Sequence, residues 1–120
     1  MMHLSEREFD DAVADALDSV PTELMDHLDN VAFFVADEPS PEQLGEHGTL
    51  LGLYEGVPLT QRGFGFAGML PDRITIFRGP LQRVCRSRGE LVEQIRVTVV
   101  HEIAHHFGID DDRLHELGWG

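Results

Sequence analysis

Apolar positions recur along this chain in two rhythms, a helical stripe near every third or fourth residue and short unbroken runs, and their alternation predicts a mixed α and β architecture. Phe9, Ala12, Val13, Ala16, Leu17 and Val20 fall on one stripe, with Asp10, Asp11, Asp15 and Asp18 interleaved as the solvated face. Ser5 and Glu8 have the spacing of a capping box, with Leu4 and Phe9 at staple positions, so the first helix is expected to begin there. Pro21 suits the first turn of a second, short helix carrying Leu24, Met25 and Leu28, with His27 on its surface.

Val31-Ala32-Phe33-Phe34-Val35-Ala36 is a run of strand formers bounded by Asn30 and Asp37, and reads as a buried strand. Ser40-Pro41-Glu42-Gln43 opens another helix, which Gly45 and Gly48 hold to a turn or two. Thr49 to Tyr54 predicts a second strand and Ile74 to Phe77 a third. Between them, residues 56–72 combine Gly56, Gly63, Gly65 and Gly68 with Pro58 and Pro71 around Phe64 and Phe66, the composition of a mobile or binding loop. No Gly-Lys-Ser/Thr follows, so it is not a phosphate-binding loop. Gly79-Pro80 starts a short helix through Val84 and Cys85.

Local signals conflict from Glu90 to Phe107, a run set off by Gly89. Val97-Thr98-Val99-Val100 is β-branched and favours strand, but Leu91, Ile95, Val99, Ile103 and Phe107 recur every fourth residue over a stretch too long for an ordinary strand. The spacing predicts a buried central helix over Glu90–Phe107. Asp112 to Trp119 reads as a final capped helix turning back over the core. The whole predicts one α+β domain over residues 1–120, with a three- to four-stranded sheet packed against the central helix.

The end of that helix carries the candidate chemistry, His101-Glu102-Ile103-Ala104-His105-His106-Phe107-Gly108-Ile109-Asp110-Asp111. His101 and His105 are four apart, so both imidazoles project from one helical face and can grip one cation. Glu102 lies a third of a turn further round, placed to reach a water beside the metal rather than the metal itself. Gly108 can take the left-handed conformation that ends a helix, which turns the chain back and brings Asp111 within reach as a third ligand. The alternative is that Asp110 to Asp112 only cap the final helix.

This stretch resembles the zincin metallopeptidases, and its HExxHxxGxxD form is similar to that of the small bacterial zincin-like metallopeptidase family. The resemblance extends, with less specific residues, through Gly56-Val57-Pro58-Leu59-Thr60 and the glycine-rich stretch. It implies a minimal zincin-like fold, a Zn²⁺ ion held by His101, His105 and Asp111, and Glu102 as the catalytic base. In the related metzincins the third ligand is usually histidine; aspartate offers a hard oxygen that zinc also accepts. Nine residues follow Asp111, leaving no room for the methionine turn that floors the metzincin site. In a zincin, a strand beside the metal helix offers its edge to an extended peptide, and the sequence does not say which strand that is.

Charge narrows the partners. Net charge is −13, and residues 1–60 hold fourteen acids against one Arg, while residues 61–120 hold eight of each. Such a chain repels nucleic acid. There are no lysines, and Arg78, Arg83, Arg86 and Arg88 cluster, most simply as a helix face pairing with the acidic half. Cys85 alone excludes an internal disulfide and suits a buried thiol. The N-terminus shows no secretory signal and no apolar run is long enough for a membrane span, which predicts a cytoplasmic protein.

Three functions from different classes follow. The first is a zinc-dependent peptidase acting on a peptide or protein, with Glu102 taking a proton from the attacking water. The second, suggested by small size and the missing methionine turn, is a metal-binding domain without turnover. The third is a zinc-dependent endoribonuclease, similar in HxxxH and the following glycine but opposed by Glu102 and the net acidity. The group that would stabilise an oxyanion is left open among His106, His115, Tyr54 and the arginines.

Overall fold

The computed structural model describes residues 3–26, 28, 30–46, 48–56 and 71–119. The expectations placed on His27, on Val57-Pro58-Leu59-Thr60 and on Phe64 and Phe66 lie outside these residues. Helix α1 (Glu6–Asp18) opens on its capping box: the Glu8 N–H donates to Ser5 Oγ and the Ser5 N–H to Glu8 Oε1, each at 3.1 Å. Its stripe of Phe9, Ala12, Val13 and Ala16 is buried. Helix α2 (Thr22–Met25) follows, with Pro21 as the cap rather than inside the first turn.

Strand β1 (Val31–Ala36), the one-turn helix α3 (Pro41–Leu44), strand β2 (Gly52–Glu55) and strand β3 (Asp72–Phe77) come next. Among the described residues they form a three-stranded mixed sheet in the order β1-β3-β2, with β1 parallel and β2 antiparallel to the central β3. Phe33 and Tyr54 flank Ile74 from either side. Two strand starts differ from the sequence reading. Strand β3 starts two residues early because the Asp72 N–H donates to the Asn30 carbonyl at 3.0 Å, extending the ladder. The second strand starts late, since only from Leu51, whose carbonyl accepts the Phe77 N–H at 3.0 Å, does the chain follow β3. Thr49 and Leu50 instead border a groove beside the long helix.

After helix α4 (Arg78–Val84), helix α5 (Arg88–His106) runs through the core and packs against α1, α4, β2 and β3. Leu91, Ile95, Val99, Val100, Ile103 and Ala104 are buried along it. A β-branched residue loses only tenths of a kcal/mol in a helix, whereas burying a Leu or Ile side chain gains about 1.5–3 kcal/mol, so packing overrides the strand signal of Val97 to Val100. Gly89 does not separate this helix from what precedes it. Ser87 Oγ accepts the Glu90 N–H at 3.1 Å, and that cap carries the helix start back to Arg88, with Gly89 inside the first turn. Phe107 continues the fourfold spacing but lies past the last helical residue and is exposed.

Three of the four clustered arginines pair with the acidic half. Arg83 grips both carboxylate oxygens of Glu38 at 2.8 and 2.9 Å, Arg88 meets Asp15 at 2.6 Å, and Arg78 lies 3.6 Å from Glu6 and 3.7 Å from Asp37. Cys85 is buried, as expected. No helix among the described residues is long and apolar enough to cross a membrane.

Candidate active site

Helix α5 ends where the motif needs it to end. Gly108 takes φ +76°, and two bonds close the turn: the Gly108 N–H to the His105 carbonyl at 3.2 Å and the Ile109 N–H to the Ala104 carbonyl at 2.8 Å. This paired closure is a Schellman cap, and Ile109 packs on the core beyond it. The chain then starts helix α6 (Asp111–Leu117), capped by Asp110, whose Oδ1 accepts the Arg113 N–H at 2.8 Å. Two of the three aspartates are thereby distinguished. Asp110 is committed to the cap, while Asp111, the first helical residue, sets Oδ1 at 3.5 Å from His105 Nε2.

His101 and His105 have their ring centres 6.0 Å apart, and the His105 and Asp111 side chains are more than half exposed. Two imidazoles and a carboxylate form a donor set of the kind zinc accepts. Their spacing is not that of a closed site: among the described residues, no three His, Cys, Asp or Glu side chains gather closely enough to hold an ion. The histidine pair and the His105–Asp111 approach fit a metal; a converged third ligand is not present among the described residues.

Glu102 is held differently. One turn apart on α5, Thr98, Glu102 and His106 form a ridge that lies along β2. At one end an added Cβ on Gly52 would meet Thr98 Cγ2 at 2.7 Å, so glycine is what lets strand and helix approach. Further along, the backbone N–H of Tyr54 donates to Glu102 Oε1 at 2.9 Å. The Tyr54 ring stacks on His106 with centroids 3.9 Å apart, and its hydroxyl donates to Asp72 Oδ2 at 2.7 Å. Phe107 meets the same ring edge-on at 6.4 Å. Tyr54 and His106, both candidates for oxyanion stabilisation, are thus engaged with each other, with the Tyr54 proton committed to Asp72. His115 sits exposed on α6, one turn after Asp111.

An open groove of about 270 Å³ runs beside this ridge, lined by Thr49, Leu50, Leu51 and Gly52 on one side and by Gln94, Val97, Thr98, His101, Glu102 and His105 on the other. Among the described residues β1 and β2 are the two outer strands of the sheet, and β2 is the one that lies beside the HExxH helix. The sequence reading missed the parts Tyr54 and Asp72 play. Their link to Glu102 depends on the β2–β3 register, and no short-range pattern reports it.

Residues 28–119 match the family of zincin-like metallopeptidases. A solved structure described as a conserved hypothetical protein from Thermo thermophilus is similar in fold, with a TM-score of 0.61 and 23% identity over 87% of this chain and 94% of that one. No curated protein matches the chain.

Proposed function

Since the chain belongs to the zincin-like metallopeptidases, we propose that it is a zinc-dependent peptidase in which His101, His105 and Asp111 hold the metal and Glu102 is the general base. A zinc ion bound by that set supplies Lewis acidity and lowers the pKa of a bound water to about 7. Glu102 takes the proton of the attacking water at Oε2, the oxygen that Tyr54 does not hold, and passes it to the departing amine. An extended segment of a peptide or protein substrate lies in the groove between β2 and the HExxH helix, beside the amide that Glu102 holds.

One observation supports this reading: Glu102 of the HExxH run accepts the Tyr54 N–H from an outer strand of the sheet formed by the described residues, beside the groove. A second reading, metal binding without turnover, rests on the His101–His105 pair, which can grip a cation without Glu102 acting as a base. The endoribonuclease alternative is opposed by the net charge of −13 and by the pairing of Arg83 and Arg88 with carboxylates, which takes up cations a phosphate backbone would need.

The deciding experiment sets zinc-loaded parent protein beside Glu102→Gln on a broad peptide library. The parent is expected to cleave, and Glu102→Gln to bind zinc normally while losing about a hundredfold or more in rate. A fully zinc-loaded parent that cleaves no peptide selects the non-catalytic reading. RNA cleavage independent of Glu102 selects the nuclease.

A further inference from the structure

The side chain of Tyr54 and its backbone point at two different things, and both bear on Glu102. Strand β2 alternates: the Leu51 carbonyl accepts from Phe77, and Leu53 lies opposite Thr75 in the same register. Antiparallel pairing then turns the Leu53 polar groups toward β3 and those of Gly52 and Tyr54 away from it. An outward amide on an edge strand ordinarily meets water or another strand. Here it meets the Glu102 carboxylate at 2.9 Å, a hydrogen bond to an ionisable acceptor and of the stronger kind when that acceptor is charged.

A carboxylate on a helix surface turns freely about its last bonds, so a base that must present one chosen oxygen gains from having the other one fixed. The amide can fix it only if residue 54 is itself fixed. Tyr54 meets that need through its ring, which spans from Asp72, buried at the start of β3, to His106 at the end of α5. The ring is a strut between sheet and helix end, and Glu102 lies on the same ridge of α5 as the His106 on which the strut rests.

We propose that Tyr54 is a positioning residue for Glu102: its N–H holds Oε1, and its side chain, anchored by Asp72 and His106, holds that N–H in place. The catalytic consequence rests on Glu102 being the base, but the positioning itself can be read without turnover.

Amide hydrogen exchange by NMR on the full chain tests it, with the Leu53 amide as an internal control for the β2–β3 ladder. The Tyr54 amide is expected to exchange roughly tenfold or more slowly in the parent than in Glu102→Ala, while Glu102→Gln, which keeps an acceptor oxygen, stays closer to the parent. Tyr54→Phe, which keeps the ring and the N–H but loses the bond to Asp72, should speed exchange at residue 54 severalfold and leave residue 53 unchanged. Equal exchange at residue 54 in the parent and Glu102→Ala overturns the proposal. So does full protection at residue 54 in Tyr54→Phe, since the side chain would then position nothing. If Glu102→Ala fails to fold, the Tyr54 amide proton shift in Glu102→Gln decides: an unchanged shift means no bond to the carboxylate. On any peptide the zinc-loaded parent cleaves, Tyr54→Phe should lower kcat and spare KM. A parent that cleaves nothing counts against the peptidase reading, and the exchange data still decide the role of Tyr54.

Discussion

His105 and Asp111 face each other across the Gly108 turn, with Nε2 and Oδ1 3.5 Å apart. The aspartate before it is spent on a cap, so adjacent carboxylates should fail in different ways. Asp110→Ala is expected to cost about 0.5–2 kcal/mol of stability and leave zinc affinity nearly unchanged. Asp111→Ala should weaken zinc binding at least tenfold and leave the melting temperature of the metal-free protein close to the parent's. Calorimetric zinc titration and thermal unfolding of both variants check this. Reversed losses would show the ligand assignment to be off by one residue.

The approach of β2 to α5 is tight enough to test with single methyl groups. An added Cβ at Gly52 would lie 2.7 Å from Thr98 Cγ2 and 3.2 Å from the Thr75 carbonyl. Gly52→Ala should therefore destabilise by about 1–3 kcal/mol. Thr98→Ser, which deletes the opposing methyl, should recover part of that loss in the double variant. Additive effects in a denaturant-melt cycle would mean that the two groups do not meet.

How much of this was legible in the chain follows from how far apart the cooperating residues are. Ser5 with Glu8, Ser40 with Gln43, and the left-handed Gly108 act within one turn, and all three behave as their spacing predicts. The long helix was readable against its local signal because a fourfold apolar period persists through the β-branched stretch. Its start was not, because the cap at Ser87 prevails over Gly89, a contest of two small energies. Asp111 as a ligand followed from its offset past Gly108, whereas Asp110 as the cap follows only from where α6 begins. The order β1-β3-β2, and with it the contact of Tyr54 with Glu102, depends on pairing between distant segments that leaves no periodicity to read.

Three exposed carboxylates should add a small acid dependence to stability. The backbone N–H of Ser5 holds Glu8 below its ordinary value of 4.5, and the guanidiniums of Arg83 and Arg96 do the same for Glu38 and Glu93. A carboxyl lowered in the folded state contributes stability above its unfolded pKa, and that contribution is lost as pH falls through the folded one. Melting temperature should be flat well above pH 4.5 and decline as pH falls below it. Glu38→Gln should flatten that decline slightly, because solvent screens the pair it removes. A stability that rises on acidification would contradict this.

Cys85 should be silent until the protein opens. Burial raises its thiol pKa, with the Glu90 charge adding to the effect, and the side chain lies in the core cluster. A thiol-reactive disulfide reagent at neutral pH should label it at the rate of unfolding, stoichiometrically in denaturant and slowly without. Rapid labelling of the native protein would place the thiol at the surface.

Among the described residues the sheet joins no strand to a partner through a tight turn: Val31 must find Asp72, and Gly52 must find Ile76, across long intervening stretches of chain. Loop closure of that kind is slow, so the strands are expected to pair after the helices have formed. On that order the six uncharged residues of β1 wait for β3 as a sticky template, and refolding yield should rise with dilution, which favours pairing within one chain over pairing with a second.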